Sequence, residues 1–385
     1  MHPEINIGIV GHVDHGKTTL VEALTGKWVD TFSEEKKRGI TIRLGYSDFS
    51  IYKCEKCGRF TTNKKCIHCF SDCKHEKIFS LIDAPGHESL IPIVLTGAAL
   101  FNAAILVIAA NEKCPQPQTL EHLRALEISE IKNIIIVQNK VDLVSKEEAL
   151  KNYNEIKELV KGTIAGNSKI IPTSAQQGVG IKYLLDELLK IKEPDYPEGD
   201  FLFLVARSFD ANKPGVKPEN LAGGVIGGSV IRGKLKKGDK VIIKPVLIKG
   251  KYIELETKIK KIMRDELEVD EATCGGLVAL QTSLDPSMAK SDKLAGCLAG
   301  TKNMPEILYE IETDYTLFKG YELKIGDILL VYCRNSRSTG SITSINDKKL
   351  KLNLKLPICA EKNAKMSYSK LIDGKWHLIG WGRIN

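Results

Sequence analysis

Continuous apolar runs separated by mixed segments dominate the first half of the chain. INIGIV (Ile5–Val10), AAILVIAA (Ala103–Ala110) and IIIV (Ile134–Val137) do not alternate with polar residues, as expected for strands buried on both faces of a parallel sheet. TTLVEAL (Thr18–Leu24) opens a segment of helical period directly after the first run. Up to about Pro197 this alternation of apolar runs and helical segments predicts a mostly parallel sheet with flanking helices. EPDYPEGD (Glu193–Asp200), rich in proline and acidic residues, reads as a linker. From Phe201 the pattern becomes short β runs with closely spaced glycines, Gly228, Gly233 and Gly238, and LKKGD as a turn, as in a small barrel. A second boundary near Gly300 opens another β domain, carried by ILYEIETDY, ILLVYCRNSRSTGSITSIN and KLKLNLKLPICA. The expected organisation is therefore an α/β domain over 1–198 and two β-barrel domains over 199–300 and 301–385. No run reaches the roughly 18 apolar residues that a membrane span requires.

Composition adds bounds. A length of 385 residues exceeds one typical core, so two or three domains are expected. The start, MHPEINIGIVGH, lacks the basic region and cleavage site of a signal peptide, and a cytoplasmic location is expected. Ten cysteines would suggest a disulfide framework only in a small secreted chain. Here four cluster, Cys73 lies just beyond them, and the rest are scattered, which favours reduced thiols and one metal site. A net charge of +8 permits an anionic partner such as RNA, although lysine-rich surfaces also simply solubilise.

The chemistry begins with G-x-x-x-x-G-K-T, Gly11 to Thr18, between a strand and a helix, the context a P-loop requires. Gly11 and Gly16 permit the turns, and successive backbone N–H groups point at phosphates. Lys17 would bridge the β- and γ-phosphates, and the Thr18 hydroxyl would bind magnesium. A Gly-rich turn that binds nothing is the alternative for this stretch alone. In SLIDAPGHE, Asp83 is placed to reach magnesium through water, and the Gly86 N–H to meet the γ-phosphate. IIIVQNKVDLV delivers Asn139, Lys140 and Asp142 from a strand end. Asp142 can accept from the guanine N1–H and exocyclic amine, which adenine cannot match. PTSAQQG supplies Ser174, Ala175 and Gln176, with the Ala175 N–H directed at the guanine O6. Thr41, in RGIT, is the candidate switch threonine that joins magnesium only while the γ-phosphate is present. His87, after Asp-Ala-Pro-Gly, is placed to orient the attacking water. The nucleotide site is thus read as Asp14, His15, Gly16, Lys17, Thr18, Thr19, Asn139, Lys140, Asp142, Ser174, Ala175 and Gln176. Lys17, Thr41, Gly86 and His87 are the catalytic candidates, and Asp14, Thr18, Gly39, Thr41 and Asp83 surround magnesium.

CEKCGRFTTNKKCIHC, Cys54 to Cys69, has the spacing of a tetrahedral zinc site on Cys54, Cys57, Cys66 and Cys69. Gly58 suits the turn after Cys57. His68, Cys73 and His75 are competing ligands, and an iron–sulfur cluster could use the same cysteines. GYSDFSIY before the cysteines and EKIFSLID after them read as adjacent antiparallel strands. The insert would then be a metal-stiffened hairpin tip, away from the phosphates, that offers a protein or RNA surface.

GHVDHGKTTL, RGIT, DAPGHE, NKVD and His87 together resemble the translational GTPases, the group of elongation factor Tu. Within that group, KRGITIRLGYSD, ANEKCPQPQTLEHL, VARSFDANKPG, LDPSMAKSD and WHLIGWGRI are similar to the gamma subunit of archaeal and eukaryotic translation initiation factor 2. The four-cysteine insert is a further mark of that family, and the resemblance covers essentially the whole chain. It implies a P-loop GTPase domain with a zinc-knuckle insert, two barrels, an archaeal source, and GTP or GDP, Mg2+ and Zn2+ as cofactors. It also implies delivery of initiator methionyl-tRNA to the small ribosomal subunit, with GTP hydrolysed to GDP and phosphate as a release switch. Alpha and beta subunits would complete a heterotrimer. SAQQ departs from the family's SALH, Pro92 is expected to delay or kink the second switch helix, and LAGTKNMPEI is a short linker. The rival readings are an elongation-type carrier, such as one for selenocysteyl-tRNA, and a scaffold that never cleaves its GTP. A metabolic GTP-using transferase would need a further catalytic constellation in the barrels, and none is legible there.

Overall fold

The computed structural model describes residues 3–26, 44–87, 91–213, 215–217, 220–264 and 267–385. The chain divides into two compact units, Met1–Pro194 and Asp195–Asn385. Among the described residues no helix is long and apolar enough to cross a membrane.

The first unit is built on seven strands: β1 (Ile5–Gly11), β2 (Gly45–Cys54), β3 (Phe60–Thr61), β4 (Cys73–Asp83), β5 (Ala103–Ala109), β6 (Asn133–Asn139) and β7 (Ile170–Pro172). They lie in the order β3-β2-β4-β1-β5-β6-β7. From β4 to β7 every neighbouring pair is parallel, whereas β2 runs antiparallel to both β3 and β4. Every residue of β1 and β5 is buried, so their unbroken apolar runs serve two covered faces. Among the described residues five helices accompany the sheet: α1 (Lys17–Thr25), α2 (Ile91–Ala98), α3 (Pro117–Ile128), α4 (Lys146–Val160) and α5 (Ile181–Leu188). Gly26, at φ 68, closes α1 by donating its N–H to the Glu22 carbonyl, a conformation glycine adopts freely. Ser145 and Glu148 open α4 with a reciprocal capping box. Pro92 is the second described residue of α2, and residues 88–90 lie outside the described ones. Ile5, Ile7 and Ile9 meet Leu20 and Leu24 of α1 and Leu184 and Leu188 of α5 in one core.

The second unit carries two separate hydrophobic cores. Around the first, β8 (Leu202–Phe209), β9 (Val225–Arg232), β11 (Lys240–Ile248), β12 (Lys251–Arg264), β15 (Val278–Thr282) and β16 (Leu298–Gly300) lie in the order β11-β16-β8-β9-β15-β12. Pairing of β12 with β11 closes that ring into a barrel. Three short strands complete it: β10 (Leu235–Lys236), β13 (Leu267–Val269) and β14 (Glu271–Ala272). The second core is wrapped by β17 (Ile307–Asp314), β21 (Lys349–Cys359), β20 (Ser336–Asn346), β19 (Ile328–Cys333), β22 (Lys365–Ile372), β23 (Lys375–Arg383) and β18 (Thr316–Leu317), in that order. A bridge between Thr313 and Ile384 brings the ends of this sheet together. Along KLKLNL in β21 exposed and buried residues alternate strictly, the mark of a strand with one face on the core. Residues 301–306 connect the two barrels. They also touch directly. Asn335 donates its amide to the Val205 and Cys297 carbonyls at 2.8 and 3.3 Å. Arg232 and Arg334 converge on the Glu361 carboxylate at 2.8 and 2.6 Å.

Candidate nucleotide and metal sites

The loop between β1 and α1 depends on two glycines. Gly11 has φ +146 and Gly16 φ +87, and a Cβ on either would lie 2.3 Å from a neighbour, Val107 O and Asn139 Nδ2 respectively. Asp14 also takes a left-handed turn, at φ 61, and is exposed. Helix α1 has no side-chain cap, which leaves its first N–H groups for a ligand. Lys17 is buried and donates to the His12 carbonyl at 2.7 Å, so its ammonium is held inside the loop. The Thr18 hydroxyl donates to Asp83 Oδ2 at 2.8 Å. Thus two candidate magnesium ligands from distant parts of the sequence meet. A Cβ on Gly86 would fall 2.4 Å from Lys17 Nζ and 2.8 Å from Gly11 O and Val13 N. Only glycine lets that backbone approach the loop. His87 is exposed, and Thr19 is half-buried beside Thr18. Gly39 and Thr41 lie outside the described residues.

Asn139, at the end of β6, is buried and joins the two sides of the site. Its Nδ2 donates to the His15 carbonyl at 3.0 Å, and its Oδ1 accepts from the Ala175 N–H at 3.0 Å and from Thr173 Oγ1 at 3.2 Å. The Ala175 N–H expected to face the guanine O6 is therefore engaged by Asn139 in this structure. Lys140 turns at φ 62, and the Val141 N–H reaches Thr173 O at 3.1 Å. Asp142 sits exposed on the short turn Val141–Leu143, with its carboxylate available to a base. Ser174 is buried and its hydroxyl accepts from the Gln177 N–H at 3.4 Å, while Gln176 is exposed.

Two histidines beneath the loop have structural roles that the motifs do not state. His122, on α3, accepts the Gly11 N–H on Nδ1 at 2.6 Å. Burial pushes its pKa well below the ordinary value, so the ring is neutral, with the proton on Nε2. Burial likewise holds His15 down at about 4, against the pull of Glu112, whose carboxylate is 3.4 Å from Nε2. Its Nδ1–H donates to Val107 O at 3.0 Å. The available signal for His122 was its place on the buried face of α3, with Thr119, Leu123 and Leu126.

The four cysteine sulfurs lie within 4.8 Å of one another, with Cys54 to Cys69 at 3.3 Å and Cys57 to Cys66 at 3.6 Å. Zn–S bonds of about 2.3 Å place tetrahedral sulfurs about 3.8 Å apart, so the cluster has the size of one ion. Two matching turns present them. The Gly58 N–H bonds the Cys54 carbonyl and the Phe70 N–H bonds the Cys66 carbonyl, both at 2.9 Å. Cys73 points its thiol at Ser71 O, 3.8 Å away, and neither it nor His68 nor His75 joins the group of four. Hydrogen bonds from Ser71 hold the Cys69 thiol down at about 6. Cys57, which the Arg59 backbone N–H would favour as thiolate, is instead pushed up to about 12 by desolvation and its neighbouring sulfurs. Four thiols this close cannot all ionise without a cation among them. The donor set fits zinc. Strands β2 and β4 pair from Gly45–Asp83 to Cys54–Cys73, so the cysteines do cap a hairpin.

Comparison with known proteins follows the same division. Residues 2–194 match the elongation factor Tu GTP binding domain, 223–287 match elongation factor Tu domain 2, and 309–384 match the initiation factor eIF2 gamma C-terminal domain. A translation initiation factor 2 subunit gamma from Methanococcus aeolicus is 48% identical over 99% of this chain and 98% of that protein. The protein of the same name from Pyrococcus furiosus is 44% identical over 99% and 97%. Among solved structures, a bacterial selenocysteine-specific elongation factor is similar, with TM-score 0.78, 27% identity, and coverage of 100% of this chain and 58% of that one. Elongation factor SelB from Methanococcus maripaludis, in complex with a GTP analogue, superposes with TM-score 0.76 at 24% identity, over 100% and 79%.

Proposed function

The chain belongs to the family of the gamma subunit of translation initiation factor 2, and we propose that its GTP-bound form carries initiator methionyl-tRNA to the small ribosomal subunit. One observation carries the switch: Asp83 and Gly86 meet Thr18 and Lys17 at the mouth of the loop. Bound GTP with magnesium supplies the γ-phosphate charge on which this arrangement acts. Lys17 and the loop N–H groups hold the phosphates, Thr18 and Asp83 with Asp14, Gly39 and Thr41 hold the metal, and Asp142 selects guanine. The Gly86 N–H senses the γ-phosphate, and His87 positions water for its cleavage to GDP and phosphate. With that phosphate gone, Gly86 and Thr41 lose their shared partner and the grip on tRNA falls.

The three domains of this reading are 1–198, 199–300 and 301–385, supported by the three cores. Zinc on the four cysteines is structural. Alpha and beta subunits are the expected partners, and the cytoplasm the expected location.

Filter binding of the chain to charged tRNAs tests the reading. Initiator methionyl-tRNA should be retained with GTP and released with GDP, and elongator methionyl-tRNA should not compete. Equal retention of elongator or selenocysteyl-tRNA would favour the elongation-type carrier instead. A chain that never releases phosphate with small subunits, tRNA and partner subunits present would be the non-hydrolysing scaffold.

A further inference from the structure

We propose that the tip of the four-cysteine loop is a docking surface for single-stranded RNA, with Phe70 as a stacking platform among unpaired cations. The two cysteine turns make a comparison within one molecule. Each is closed by a residue in the left-handed region, Gly58 at φ 68 and Phe70 at φ 58. Glycine suits that conformation, and a bulky aromatic residue is an outlier there. No packing within the chain offsets the strain, because the Phe70 side of the turn faces solvent and the residue is 80% exposed. Ile67, on the same turn, is 62% exposed. A strained, outward-facing apolar residue at a site that accepts glycine points to a partner.

The charge around it names the partner's chemistry. Lys56, Arg59, Lys64 and Lys65 are exposed on this loop, against Glu55 and Asp72, and Lys53 and Lys74, with Glu76, on the strands that carry it. Among the described residues none of Lys56, Arg59, Lys64, Lys65 and Lys74 takes part in an ion pair. An exposed aromatic face among cations is what single-stranded nucleic acid binds, a base stacking on the ring while phosphates meet the lysines. An acidic protein would also meet the cations. A stable protein interface, however, needs about 800 Å² from each partner, more than so short a loop presents, whereas one ring suffices for one base. No phosphate or base contact is assigned to this loop, and its test does not depend on the carrier reading.

The experiment is fluorescence anisotropy of a short labelled oligouridine with the full zinc-loaded chain, saturated with GDP. Phe70→Gly should keep its zinc and its unfolding midpoint, because glycine suits the turn, yet bind oligouridine roughly 5- to 100-fold more weakly. Phe70→Trp should restore binding. Replacing Lys64 and Lys65 together with Gln should lower the slope of log affinity against log salt by about 1.4. Wild-type affinity in Phe70→Gly at equal zinc content would overturn the proposal. So would a polyglutamate peptide that binds the loop as tightly as the RNA and displaces it, which would make this a surface for acidic protein.

Discussion

Asn139 holds two loops with one carboxamide, its amide on the His15 carbonyl and its oxygen on the Ala175 N–H. In the proposed site base recognition would therefore fall chiefly on Asp142, whose carboxylate is exposed. Asp142→Asn should weaken GDP binding by about 2–5 kcal/mol while xanthosine diphosphate binding improves. Isothermal titration with both nucleotides checks this, and an unchanged GDP affinity would count against the assignment. The buried histidines give a second expectation. Free histidine titrates near 6.5, whereas His15 stays neutral down to about 4 and His122 lower than its ordinary value. As pH falls below 6.5 the unfolded chain takes up protons that the folded rings refuse, so stability present above 6.5 is lost. Urea unfolding of the nucleotide-free chain should show a loss of about 1 kcal/mol from His15 between about pH 7.5 and about pH 5.5, with His122 adding to it in the same direction. His122→Asn, whose Oδ1 can still accept from the Gly11 N–H, should reduce that loss.

The zinc hairpin makes its contribution as an element. Its cysteines begin at the last rung of the β2–β4 ladder, where Cys54 pairs with Cys73, and no predicted phosphate or base contact comes from 54–69. Changing Cys54 and Cys57 to Ser should release one zinc per chain, measured by elemental analysis, and lower the unfolding midpoint. GDP affinity should change less than about twofold, well inside 1 kcal/mol. A folded, zinc-free variant that no longer binds GDP would place the loop in the nucleotide site. This element was largely legible in the sequence because CxxC spacing and the flanking β runs are local signals. So was the phosphate loop, where Gly11, Gly16, Lys17 and Thr18 lie within one turn of chain. His122 was not legible as a support for Gly11, because the two are far apart in sequence and meet only through the fold.

In the second unit, the two barrels were legible as glycine-punctuated β runs, but not the contacts that join them. Asn335 is buried where its amide bonds Val205 O and Cys297 O, and nothing in NSRSTG distinguishes it from an ordinary turn residue. Asn335→Ala should cost about 0.5–1.5 kcal/mol, because the Val205 and Cys297 carbonyls lose this donor but keep the backbone N–H groups of Gly296 and Val205. Denaturant unfolding of a fragment covering Asp195–Asn385 would measure it, with a single transition splitting in two if this contact couples the barrels. In the first unit, the pairing of Gly45 with Asp83 has a mechanical consequence. Gly45, four residues after the proposed switch threonine, and Asp83, the proposed magnesium carboxylate, are the two sides of one rung, about 5 Å apart. Displacing either side of that rung would drag the other, and the ladder behind it ends at Cys54 and Cys73, beside the cysteine cluster. In the proposed site the hairpin would thus work as a lever with Asp83 at one end and the cysteine cluster at the other, and a load on the cluster would bear on the carboxylate assigned to magnesium.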